Sequence, residues 1–142
     1  MSQGLPTKDD LFRRGVLNND TCMCAGRCGS LETPNHLFLH CSTFGVVWYY
    51  IYRWIEISSI FSSCATDHFN QFSYGGGGSN VRQSILHLIW FATVWEIWKE
   101  RNNMILNGKE CSITLLVDKI KLLSYSWWKA KFVDFLFNYH GW

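Results

Sequence analysis

The feature that most constrains this chain is a run of cysteine and histidine residues near its N-terminus. Its pattern is Cys24-x3-Cys28-x7-His36-x4-Cys41. Thiolate sulfur and imidazole nitrogen are the ligands of tetrahedral structural zinc sites, which commonly combine two ligand pairs separated by a short loop. Three thiolates and one neutral imidazole fill all four positions around the ion and leave none open. The pattern therefore predicts one structural Zn²⁺ ion rather than a catalytic one.

The spacing of the second ligand pair sets a condition on the local backbone. Residues five apart point about 140° away from each other on a regular α-helix, so His36 and Cys41 converge only where the helix begins or loosens between them. Pro34 favours a helix start at this place. Cys22 and His40 are alternative ligands, but Cys22 would form a wider loop and His40 would strain the chelate beside Cys41. Spacing therefore favours Cys24 and His36 over these alternatives.

The remaining cysteines and the termini indicate the class of protein. Cys64 and Cys111 are isolated in the sequence and are interpreted as small hydrophobic residues. Residues 1–10 lack the basic start and apolar core of a secretory signal, so we expect an intracellular protein, in nucleus or cytoplasm, whose cysteines serve metal binding. The longest apolar runs, Phe44–Tyr52 and Ile85–Trp98, fall short of the ~20 residues that span a bilayer, and no membrane segment is predicted.

Three stretches have helical character, and aromatic residues make up 17% of the chain. Phe44–Ile57 carries apolar residues at helical spacing, although a strand remains possible there. Val81–Leu106 is the clearest helix, and Asn107-Gly108 predicts its end. Ser112–Asn138 gives a second long helix. The fold class expected is mostly α, a small zinc-stabilised loop followed by a bundle of long aromatic-rich helices joined by a flexible Gly-rich linker.

The chain divides by composition into three segments. Residues 1–57 are predicted to form a zinc-binding module, and residues 58–80 a flexible Ser/Gly-rich linker. Residues 81–142 are predicted to form a helical hairpin that packs on the module. The run Gly75–Gly78 lacks the following Lys-Ser/Thr of a phosphate-binding loop, so it favours a linker.

The cysteine and histidine run is part of a longer set of motifs. The set begins with Leu5–Leu11, Arg13-Arg14-Gly15, Cys24–Gly29, Glu32-Thr33, His36–Leu39 and Cys41. It continues with Val47-Trp48, Trp95–Asn102, Lys119–Ser124 and Tyr139-His140 with Trp142. Together these segments resemble the reverse-transcriptase zinc-binding domain of plant LINE-type non-LTR retrotransposons, over most of the chain from Leu5 onward.

The resemblance implies an accessory role in reverse transcription, namely help in holding template RNA or target DNA. In that family the polymerase lies upstream of the zinc-binding domain, so the chain is expected to be a detached C-terminal part without catalysis of its own. It contains no Tyr-x-Asp-Asp pair, and Asp9-Asp10 is interpreted as the start of a helix rather than a site for Mg²⁺. The polymerase part of a retroelement protein is one expected partner.

Two classes of binding function remain open, beside an inert truncated relic of a retroelement. The net charge is only +2, which argues for weak nucleic-acid binding. The residues expected to contact phosphates of RNA or DNA are Arg13, Arg14, Arg27, Lys119 and Lys121. The alternative is a structural domain whose apolar helix faces bind a protein partner or a second copy. The sequence disfavours an enzymatic function.

Overall fold

The computed structural model describes residues 23–25, 28–60, 62–109 and 112–140, with side chains described as far as residue 131. Cys22, Cys111 and residues 1–21 lie outside this part. Among the described residues there is no strand, and the only β-pairing is an isolated antiparallel bridge between Met23 and Leu31. The regular elements are a π-helical turn (His36–His40) and the helices α1 (Val47–Ile55), α2 (Ala65–Tyr74), α3 (Asn80–Asn107) and α4 (Ile113–His140). The fold is mostly α, as the sequence predicts.

Helix α1 settles the ambiguity between helix and strand in the first apolar stretch. Val47, Trp48, Ile51 and Tyr52 are buried and form one face at helical spacing. A strand would have placed alternate residues on opposite sides. The helix ends at Glu56, whose φ of 58° is left-handed and whose N–H bonds to the carbonyl of Tyr52.

Helix α3 begins and ends close to the predicted residues. At its start, the hydroxyl of Ser79 accepts a hydrogen bond from the N–H of Arg82 at 3.1 Å, which satisfies one free donor of the first turn. At its end, Gly108 takes the left-handed conformation with φ 65°, the usual helix stop for a residue without a Cβ.

The predicted linker over residues 58–80 is wrong for its middle part, which forms helix α2. His68 and Phe72 lie four residues apart on this helix and are buried. The side-chain oxygen of Asn35, which immediately precedes the π-helical turn, accepts a hydrogen bond from the N–H of Ala65 at 2.9 Å and so caps the helix. The cap and the burial both depend on residues that are distant in the sequence. The polar, serine-rich segment therefore gives no local signal that predicts this helix. Gly75–Gly78 remains an exposed connection.

A single buried cluster joins the N-terminal part to the long helices. Helix α3 packs on both α2 and α4, and α1 packs on α4. The largest fully buried side chains are Trp90, Phe38, Phe44, Phe72, Leu37 and Ile51. The boundaries of the three predicted segments stay predictions. No helix in the described part of the chain is both long enough and apolar enough to cross a bilayer.

Candidate metal centre

The two upstream cysteines lie in a tight hairpin. The N–H of Cys24 donates to the carbonyl of Ser30 at 2.8 Å, which turns the chain back on itself. Gly29 has a φ of +86°, a conformation that L side chains rarely adopt and that glycine accepts without strain. The hairpin therefore brings Cys24 and Cys28 to one side of the loop.

The two downstream ligands come from the π-helical turn. The N–H of Cys41 donates to the carbonyl of His36 at 2.7 Å, an i to i+5 hydrogen bond. One turn of backbone thus spans five residues, and His36 and Cys41 face the same side. This is the loosening that the five-residue spacing requires, and it begins two residues after Pro34. Single π-turns of this kind occur frequently at functional sites.

The four predicted ligand residues meet at one point. Their ligand atoms all lie within 4.8 Å of one another. The sulfur atoms of Cys24 and Cys41 are 3.6 Å apart, and Cys28 Sγ is 2.9 Å from His36 Nε2. A tetrahedral zinc site with Zn–S bonds of about 2.3 Å has S–S edges of about 3.8 Å. The cluster could therefore hold a metal ion with small adjustments of the side chains.

The surroundings of Cys41 favour the thiolate that a metal requires. A hydrogen bond from the Cys24 thiol, with smaller contributions from the backbone at Phe44 and Thr43, lowers the pKa of Cys41 to about 5 against the opposing effect of burial. Only deprotonated cysteine ligates a metal ion. Cys41 is therefore the thiol of the cluster whose surroundings favour the form that binds a cation.

The structure separates one of the two alternative ligands, His40, from the cluster. His40 is exposed, and its Nε2 faces the carbonyl of Ser63 at 3.3 Å instead of the thiols. Cys64 is half-buried at the start of α2. Cys22 lies outside the described residues. Within the described part, His36 is thus the histidine that joins the three cysteines.

A buried ion pair beside the metal centre is a feature that the sequence reading missed. The carboxylate of Glu32 is fully buried. Its Oε2 accepts from the N–H of Ala25 at 3.0 Å, and its Oε1 accepts from Arg101 Nη2 at 2.6 Å and from Nε at 3.1 Å. The Arg101 guanidinium also lies over the ring of Trp98. Glu32 therefore ties the metal-binding hairpin to α3. Both residues belong to motifs of the sequence, Glu32 to Glu32-Thr33 and Arg101 to Trp95–Asn102, but nothing in these motifs indicates that the two side chains pair.

The predicted nucleic-acid-binding residues are only partly described. Arg13, Arg14 and Arg27 lie outside the described residues. Lys119 on α4 is largely exposed, with its Nζ 3.9 Å from a carboxylate oxygen of Glu100. Lys121 is half-buried, and its Nζ lies 5.6 Å from the ring centroid of Trp54.

Comparison with protein-family models, curated proteins and solved structures finds no match to this chain. Its function is therefore inferred from its own residues, from the metal centre and from the motif resemblance.

Proposed function

We propose that this chain is a non-catalytic zinc-binding module that assists the binding of RNA or DNA. The observation that carries the proposal is the convergence of Cys24, Cys28, His36 and Cys41 from two separate local structures on one point. Three sulfur donors and one imidazole nitrogen suit Zn²⁺, whereas Mg²⁺ and Ca²⁺ prefer oxygen ligands.

The ion is proposed to be structural. Four protein ligands complete a tetrahedron, and a catalytic zinc ion needs an open position for water or substrate. The hairpin that carries Cys24 and Cys28 has few apolar residues of its own, so metal binding supplies the free energy that orders it. The proposed consequence is a rigid N-terminal platform attached to the helical bundle.

Nucleic acid is proposed as the partner because of the charge on α4. Between residues 113 and 131 this helix carries four lysines and one acidic residue, Asp118. Exposed lysines bind phosphates through release of counterions, a term that requires no particular base sequence. The resemblance to a retroelement zinc-binding domain implies the same partner.

The first test is the metal content of the purified protein. We expect one zinc ion per chain in the wild type, and loss of both zinc and cooperative unfolding in Cys28→Ser and His36→Ala. Cys64→Ser, which removes a thiol outside the cluster, is the matched control and should retain its zinc. A wild-type protein that contains no zinc and takes none up would refute the metal site.

The second test is the salt dependence of binding to single-stranded RNA and DNA. The logarithm of the association constant falls linearly with the logarithm of the salt concentration, and for a single strand each lost phosphate contact makes this slope about 0.7 less steep. We expect this reduction in Lys119→Ala and in Lys121→Ala, but not in Lys109→Ala, which removes an equal charge from the connection before α4. Equal slopes in all three variants would refute the role of α4.

A second candidate function is protein interaction or self-association. Helix α4 exposes large apolar side chains, since Leu115 is 61% and Leu122 69% exposed. Contiguous exposed apolar surface is typical of an interface. Sedimentation at several protein concentrations distinguishes the two functions, because an apolar interface forms without nucleic acid and is insensitive to salt.

A further inference from the structure

A cleft beside the metal centre has an aromatic wall and a polar floor. It lies between the π-helical turn, α1 and the connection before α2, and its volume is about 660 Å³. The residues that carry the argument are Trp48, Tyr49, Tyr52, His40 and His68. No aspartate or glutamate is among the described residues that line it. The aromatic side chains therefore suit a planar ligand, and no acidic group on the described lining repels a negative charge attached to it.

The hydroxyl group of Tyr52, at the floor of the cleft, can donate a hydrogen bond. Trp90 Nε1–H donates to His68 Nδ1 at 2.9 Å, so that nitrogen carries no proton. The neutral ring then holds its proton on Nε2 and donates it to the hydroxyl oxygen of Tyr52 at 2.6 Å. Burial, and to a lesser extent the nearby His40, lower the pKa of His68 to about 4, which keeps the ring neutral. The hydroxyl proton of Tyr52 is thus free to bond to an acceptor in the cleft.

The wall of the cleft offers a stacking surface next to a positive charge. The side chain of Tyr49 is 52% exposed. The guanidinium carbon of Arg53 lies 5.7 Å from the centroid of the Tyr49 ring. Aromatic side chains stack on bases of any sequence, and arginine adds attraction to phosphate. Tyr49 and Tyr52 both line the cleft, and Arg53, which lies over the Tyr49 ring, stands beside it.

We propose that this cleft binds one unpaired base of a single-stranded nucleic acid. The base stacks on Tyr49, a base oxygen or ring nitrogen accepts the hydroxyl proton of Tyr52, and the adjoining phosphate lies near Arg53. The inference rests on the proposed nucleic-acid function and narrows it to single strands, because a paired base hides both its faces and its hydrogen-bonding edge.

The test measures fluorescence anisotropy of a labelled strand of ten thymidines with the zinc-loaded full chain. A strand of equal length with abasic sites keeps the phosphates and removes the bases. We expect about tenfold weaker binding for the abasic strand and for Tyr49→Leu, the size of one lost stacking contact. Tyr52→Phe should weaken binding about fivefold, the size of one hydrogen bond. Tyr74→Leu changes an exposed tyrosine outside the cleft and should bind as the wild type does.

The outcomes separate the two proposals. If the wild type binds the thymidine strand with clear salt dependence, but Tyr49→Leu and the abasic strand bind equally well, the cleft is refuted and the nucleic-acid function stands. If the wild type binds neither strand at low salt, both proposals fail. Thermal unfolding of Tyr52→Phe and Tyr49→Leu checks that both variants are folded, and Tyr49→Leu, at an exposed position, decides the result if Tyr52→Phe is destabilised.

Discussion

Removal of the Arg101 guanidinium should destabilise the protein far more than the loss of an ordinary ion pair. In Arg101→Met the carboxylate of Glu32 remains fully buried and loses its guanidinium partner, while the N–H of Ala25 still donates to it. The Arg101 side chain is itself only 7% exposed, and it makes two of the hydrogen bonds to that carboxylate. Removal of one partner of such a pair costs about 3 to 5 kcal/mol, because an uncompensated charge stays in the interior.

A double variant shows whether the charge is the cause. Arg101→Met combined with Glu32→Gln removes the buried charge but keeps a side chain of nearly the same shape and one acceptor for the Ala25 N–H. A buried ion pair replaced as a whole is often close to neutral. We therefore expect the double variant to regain at least about 2 kcal/mol relative to Arg101→Met alone.

The same perturbation should reach the metal. Ala25 stands between the proposed ligands Cys24 and Cys28, and its N–H is held by the carboxylate that Arg101 contacts. Groups that support metal ligands typically change affinity by about 10- to 100-fold when they are removed. We expect Arg101→Met to bind zinc about 10- to 100-fold more weakly than the wild type, as measured by competition with a coloured chelator.

The assay is urea unfolding of the zinc-loaded protein followed by circular dichroism. Lys99→Met is the control on the same helix. It removes a cation 3.6 Å from Glu96, whose side chain is only 7% exposed, but Lys99 itself is 55% exposed, so solvent screens this pair and its loss should cost less than that of Arg101. The reasoning is refuted if Arg101→Met is as stable as Lys99→Met, or if the double variant is no more stable than Arg101→Met.

Three further predictions concern the surroundings of the site. Because the pKa of His68 is about 4 in the folded chain and about 6.5 when unfolded, its contribution of about 3 kcal/mol is present above pH 6.5 and is lost as the pH falls towards 4. Protonation of the proposed zinc ligands lowers the stability of wild type and His68→Gln alike over this range, so urea unfolding between pH 7 and 4.5 should show a steeper loss of stability in the wild type than in His68→Gln. A Cβ on Gly45 would lie 2.6 Å from two backbone oxygens near the metal centre. Gly45→Ala should therefore lower the melting temperature and make the protein lose zinc to a chelator more readily. The control Gly108→Ala places its Cβ in open space, so it should cost only about 1 kcal/mol of stability and leave zinc binding unaffected. Asn35→Ala removes the cap on Ala65 and should cost about 1 kcal/mol, with faster hydrogen exchange confined to the first turn of α2; uniform exchange across the chain would contradict it.

The two long helices and the cysteine and histidine cluster could be predicted because their determinants are local. The ends of α3 follow from Ser79 and from Asn107-Gly108, whose conformational preferences act within one or two residues. The spacing of His36 and Cys41 required a loosened turn, and the π-helical turn provides it. In both cases the residues that interact are separated by a few positions, so the sequence alone determined the outcome.

Tertiary structure decided what depends on which surfaces meet. Helix α2 forms because Asn35 caps it and because His68 and Phe72 find a buried partner surface, and neither contact leaves a periodic signal in a serine-rich segment. Glu32 and Arg101 are 69 positions apart, so their pairing is set by how the hairpin packs on α3. The proton position on His68 depends in the same way on Trp90, from another helix. Local chemistry thus determined the cluster of cysteines and histidine, whereas the ion pair that supports this cluster and the cleft beside it required the packed fold.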